Sequence, residues 1–128
     1  MNKAEVTEIT GVRTVGIPVA DQDRALKFYV ETLGLDKRLD VLLGHGNRWI
    51  EVAPAGAATT IALVVAHEGV PAGVETGIRF TTANAAAAHA NLQARGVDVG
   101  ELLSWPGVPP MFAVRDQDGN GLEITETV

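Results

Sequence analysis

Three charged residues on predicted strands, Glu51, Arg79 and Glu123, form the part of this chain best suited to chemistry. In Trp49-Ile50-Glu51-Val52-Ala53 the apolar Ile50 and Val52 alternate with Trp49 and Glu51, and strand side chains point alternately to two faces. Ile50 and Val52 therefore belong to the core, and Trp49, Glu51 and Ala53 to the opposite face. By the same alternation Ile78 and Phe80 turn Arg79 to that face, and Leu122 and Ile124 turn Glu123 and Thr125 to it. With Thr14 and Thr60, the set comprises one guanidinium, two carboxylates, an indole and threonine hydroxyls. Such a set supports two kinds of event. Arg79 can grip a carboxylate, phosphate or enolate in a bidentate fork while Trp49 stacks on a planar or apolar group. Alternatively, a carboxylate with a raised pKa, Glu51 or Glu123, moves a proton. A third arrangement does nothing chemical: Arg79 simply neutralises Glu51 or Glu123.

Other motifs read as structure. The chain has no cysteine, which removes disulfides, thiolate metal sites and cysteine nucleophiles. His45 falls in a hairpin, His67 in a link and His89 in an alanine-rich helix, so the histidines do not converge. Asp116, Asp118, Asn120 and Gly121 match the start of a calcium loop, but the twelfth position is Thr127 rather than Glu and both flanks read as strands, which makes this a turn. The glycines at 44, 46, 69 and 73 lack phosphate-loop spacing. Trp105, with Pro106, Pro109 and Pro110, lies between strands as an aromatic lid, a packed anchor or a dimer contact.

The elements that must position these residues occur twice. Thr14-Val15-Gly16-Ile17 leads to Asp21 as Gly77-Ile78-Arg79-Phe80 leads to Asn84, a shift of 63 residues between the two caps. Gly34-Leu35-Asp36 recurs as Gly96-Val97-Asp98, and the end strand Thr60-Ile61-Ala62-Leu63 as Gly121-Leu122-Glu123-Ile124. In each half a strand leads to an Asp or Asn helix cap, then a helix closed by glycine, then three strands. The first strand is expected at 12–19, its helix from Asp21 to Gly34, and strands at 37–43, 49–53 and 59–65. In the second half the strands are expected at 77–81, 97–103, 110–115 and 122–127. The chain is thus one α+β domain of two βαβββ modules, 10–66 and 75–128, with a cleft between the copies.

Composition agrees with a packed domain. An apolar fraction of 46% over 128 residues supplies a core. The net charge of −6, with no local run of Lys or Arg, disfavours nucleic acid. No stretch approaches the roughly 20 apolar residues of a membrane span, so a soluble, cytoplasmic protein is expected.

The chain resembles the vicinal oxygen chelate superfamily of glyoxalase I, bleomycin-resistance proteins, extradiol dioxygenases and fosfomycin-resistance enzymes. Carrying the resemblance are Val19-Ala20-Asp21-Gln22-Asp23-Arg24-Ala25, Phe28-Tyr29, Leu33-Gly34, and Asp116-Gln117-Asp118-Gly119-Asn120 before Leu122-Glu123-Ile124. It implies two βαβββ modules curled into a half-open barrel around a central cup, completed as a homodimer. It also implies metal ligands from the first and last strands of each module, places held here by Thr14, Ala62, Gly77 and Glu123. Of these only Glu123 binds a metal well, so no cofactor is expected, with a divalent metal at an unusual site as the alternative. Two functions follow. The first is a binder that encloses a small molecule, with Thr14, Trp49, Thr60, Arg79, Trp105 and Thr125 as ligand contacts. The second is a glyoxalase-like lyase or isomerase, or a dioxygenase-related enzyme, using Glu51, Arg79 and Glu123.

Overall fold

The computed structural model describes residues 7–44 and 46–128; His45 lies outside the described residues. The first half runs β1 (Thr14–Val19), helix α1 (Gln22–Leu26, continuing as a π-helical stretch Lys27–Thr32), β2 (Asp36–Leu42), β3 (Arg48–Ala53) and β4 (Thr60–Val65). The second runs β5 (Glu75–Thr82), α2 (Ala85–Ala94), β6 (Asp98–Val99), β7 (Leu103–Trp105), β8 (Val108–Arg115) and β9 (Gly121–Glu126). Each half forms its own sheet, in the order β1-β4-β3-β2 and β5-β9-β8-β6, with β7 also on β8. The first and last strands of each half are parallel and the other pairs antiparallel, so the internal repeat is one topology used twice.

Both helices start where the caps lie. The Asp21 carboxylate accepts from the backbone of Asp23 and Arg24, and Asn84 accepts from Ala87, each cap contributing about 1 kcal/mol. Beyond Leu26 the expected α-helix widens: Leu33 N–H donates to Phe28 O, five residues back, at 2.9 Å. The wider turn lets two adjacent aromatics, Phe28 and Tyr29, both face inward, their rings 5.1 Å apart edge to face. Gly34, at φ +79°, then ends the helix in the left-handed conformation that glycine adopts without cost. The single strand expected at 97–103 is two. Gly100 N–H still donates to Ala113 O on β8 at 2.9 Å, but its carbonyl accepts from His89 Nε2 at 2.8 Å, and regular pairing to β8 resumes at Leu103.

The expected alternation holds. Ile17, Val19, Ile50, Val52 and Leu63 are at most 1% exposed and pack under α1. The two halves share this core: Leu122, Ile78 and Phe80 pack into the first half's cluster, while Phe28 and Leu33 pack into the second's. Each fully buried aliphatic or aromatic side chain contributes roughly 1.5–3 kcal/mol.

Polar staples fix the halves to each other. Asn120, fully buried, donates from Nδ2 to Pro18 O and Asp116 Oδ2, and accepts at Oδ1 from the backbone N–H groups of Gly73 and Val74. The Tyr29 hydroxyl donates to Asp116 Oδ2 at 2.6 Å. Burial first, then that hydrogen bond, pushes the Tyr29 pKa well above the usual tyrosine range, so the phenol stays a donor. The acidic 116–121 motif is therefore the expected turn, and it doubles as the clamp between modules.

Candidate functional site

Each sheet carries one polar group on the face turned away from its helix. On the first, Glu51 is 3% exposed and is surrounded by donors. Trp49 Nε1–H donates to its Oε2 at 2.7 Å, Thr60 Oγ1–H to its Oε1 at 2.8 Å, and Arg13 Nη2 to Oε2 at 3.2 Å. Thr14 lies alongside, its hydroxyl donating to Thr60 O at 3.3 Å. The hydrogen bonds from Trp49, Thr60 and Arg13, in that order, outweigh burial and hold the Glu51 carboxyl below the usual glutamate range. Glu51 is therefore a fixed, ionised acceptor, shifted in the opposite direction from the raised-pKa proton carrier that the sequence allowed.

On the second sheet, Arg79 stands in register with Glu123, its Nε 2.7 Å from Glu123 Oε2. A bulge sets this up. From Glu75 to Arg79 the chain advances four residues while β9 advances only two, from Gly121 to Glu123. Gly77 takes φ +75°, and the Thr76 hydroxyl donates to Gly121 O at 2.6 Å. The guanidinium N–H does not meet Glu123 Oε2 along a hydrogen-bonding direction. That oxygen and Thr125 Oγ1 are both buried without a hydrogen-bond partner among the described residues. With the Arg79 side chain 65% exposed, the ion pair contributes at most about 1 kcal/mol.

The expected cluster of one guanidinium between two carboxylates is thus two separate pairs: Arg13 serves Glu51, and Arg79 serves Glu123. Trp105 lies on a strand rather than between strands. It lies within β7, in register with Val108 beside the Gly107 turn, and is 51% exposed. A cavity of about 410 Å³ between the halves is lined by Val15, Ile61, Ile78, Phe80 and Pro54 and reaches the group only at Arg79.

A family model described as Glyoxalase/Bleomycin resistance protein/Dioxygenase superfamily matches residues 11–124, nearly the whole two-module frame. The chain belongs to this superfamily. It is similar to TnmS3, an antibiotic binding protein from Streptomyces sp. CB03234, with 35% identity, a TM-score of 0.85, and coverage of 96% of this chain and 100% of that one. A superfamily member from Sphaerobacter thermophilus DSM 20745 is 34% identical with a TM-score of 0.85, covering 94% of this chain and all of that one. YetH of Bacillus subtilis (strain 168) is 32% identical over 124 residues, 92% of this chain and 99% of YetH. No helix among the described residues is long and apolar enough to cross a membrane.

Within the superfamily, the places of the metal ligands decide whether these residues fit a metal. Ala62 and Gly77 offer no side-chain donor, Thr14 spends its hydroxyl on Thr60 O, and Glu123 has a guanidinium against its Oε2. Among the described residues no three His, Cys, Asp or Glu side chains converge. This donor set does not fit a zinc, nickel or iron ion, which takes about four to six donors with imidazole among them. Sequence reasoning missed Arg13. Its only signal was a basic residue immediately before the first strand, one position from Thr14.

Proposed function

We propose that the protein binds an organic small molecule of antibiotic type on these faces, sequesters it unchanged and uses no metal to do so. The observation that carries this reading is the state of Trp49 and Glu51. The indole N–H is tied to a buried carboxylate that already holds three donors, so the ring is a rigid stacking surface and the carboxylate is poorly suited to move a proton. The similarity to an antibiotic binding protein over almost all of both chains supports the same reading. The lyase or isomerase alternative loses Glu51 as its proton carrier.

Two copies complete the site in this reading. β1 and β5 are edge strands of their sheets, and Trp105 and Val108 leave apolar surface exposed, which a homodimer covers. Tryptophan fluorescence and calorimetry against a panel of antibiotics, with mass spectrometry of the recovered compound, test the function. Saturable binding with one compound per chain and unchanged mass is expected. Conversion of the compound, lost on replacing Glu51 or Glu123, would overturn sequestration. Sedimentation should give a dimer; a concentration-independent monomer refutes the second copy.

A further inference from the structure

Glu123 Oε2 and Thr125 Oγ1 are two residues apart on one face of β9, and both are buried without a hydrogen bond among the described residues. Arg79 meets the charge of Glu123, but neither oxygen has a hydrogen bond, and buried polar atoms in native proteins almost always find one. Their counterpart, Glu51, shows what a finished group looks like, with donors on both oxygens. On the β5 side the register partners are Arg79 for Glu123 and Thr81 for Thr125; on the β8 side the face is apolar. Glu123 is in register with Ala113, Thr125 with Met111, and Met111 in turn with Leu103 on β7. Register partners present their side chains to the same face. Arg79 lies over Glu123 Oε2, and its side chain, 65% exposed, has solvent to move into.

We infer that the second module's face takes a flat, apolar ligand through one uncharged hydroxyl, which donates to Glu123 Oε2 and accepts from the Thr125 hydroxyl. The inference rests on the small-molecule reading above and names the chemical group recognised. A hydroxyl suits both oxygens at once, because it is donor and acceptor in one atom. Arg79 moves aside to admit it and stays close enough to balance the Glu123 charge. A ligand ammonium would meet that guanidinium as a like charge, so the site selects a neutral donor. Met111, Ala113 and Leu103 take the apolar body, with Trp105 at the end of the same hairpin.

Three matched probes, naphthol, methoxynaphthalene and naphthylmethylammonium, titrated into the isotopically labelled full chain and followed by NMR, test this. Naphthol should bind about tenfold or more tightly than its methyl ether, which cannot donate, and more tightly than the ammonium. Thr125→Val and Glu123→Ala should each remove most of the naphthol preference while the ether still binds, and Thr125→Ser should keep it. Arg79→Ala should move the preference toward the ammonium, since the carboxylate is then unbalanced. Equal affinity for naphthol and its ether in the unmodified protein, a preference for the ammonium there, or an undiminished naphthol preference in folded Thr125→Val would overturn the hydroxyl assignment and leave the binding reading standing. If no probe shifts resonances of β5, β8 or β9, the binding reading for this face falls and the assignment falls with it.

Discussion

Glu51 and Glu123 occupy opposite places in one repeated step of the fold. Glu51 on β3 is in register with Ala62 on β4, whereas Glu123 on β9, the strand equivalent to β4, is in register with Ala113 on β8, the strand equivalent to β3. Each carboxylate thus faces an alanine across its strand pair. The neighbours then divide the roles. Glu51 has an indole and a hydroxyl beside it and is saturated, while Glu123 has a guanidinium that approaches without bonding.

Glu51→Gln should destabilise the protein by about 1–3 kcal/mol at neutral pH, because the donors from Trp49, Thr60 and Arg13 lose an ionised acceptor. The folded pKa of Glu51 lies below its unfolded value, so its contribution is complete above about pH 4.3 and is lost as pH falls through the lower folded value. Denaturant unfolding between neutral and acid pH should show a smaller acid loss in Glu51→Gln than in the unmodified protein. Equal pH slopes would contradict the saturated-acceptor assignment.

Tyr29→Phe removes the only side chain of α1 that donates to Asp116 among the described hydrogen bonds, at a site where Tyr29 is fully buried and Asp116 nearly so. A loss of about 1.5–3 kcal/mol is expected, since the acceptor is a carboxylate. Asn120→Ala should cost more, because it also strands the Pro18 carbonyl and the Gly73 and Val74 amides. Urea melts rank the two; a neutral Asn120→Ala would mean that the turn does not clamp the modules.

Gly121→Ala places a methyl carbon against Glu75 Oε2 and Arg115 Nη1, so the Glu75–Arg115 ion pair must open. Glu75 is mostly exposed and can move, which limits the cost to about 1 kcal/mol. Removing Glu75 first frees Arg115 to swing aside and should lower the cost of the same substitution. A double-mutant cycle on thermal stability measures this coupling.

Elemental analysis of protein purified without chelators should find no stoichiometric transition metal, as the donors at Thr14, Ala62, Gly77 and Glu123 imply. One zinc, nickel, iron or manganese per chain, released by Glu123→Ala, would restore metal chemistry to the site.

Periodicity and caps were legible in the sequence because they are local. Alternation along a strand decides which residues face the core, a cap acts within one turn, and a repeat shows itself at a fixed spacing. The two modules, the core positions of Ile50, Val52, Ile78, Phe80, Leu122 and Ile124, and the turn at 116–121 all followed from such signals, while the superfamily came from the resemblance its motifs carry. Partner choice did not, since it depends on which distant side chains arrive at one point. Arg13 reaches Glu51 across 38 residues of sequence, and the bulge at Gly77 decides that Arg79 stands opposite Glu123. The π-helical turn that brings Tyr29 to Asp116 and the His89 contact that splits the strand at Gly100 are likewise packing outcomes. Whether a carboxylate ends saturated with hydrogen bonds, like Glu51, or met only by an ion pair at one oxygen, like Glu123, is settled by the donors that tertiary packing brings to it, and no local pattern in the chain encodes that number.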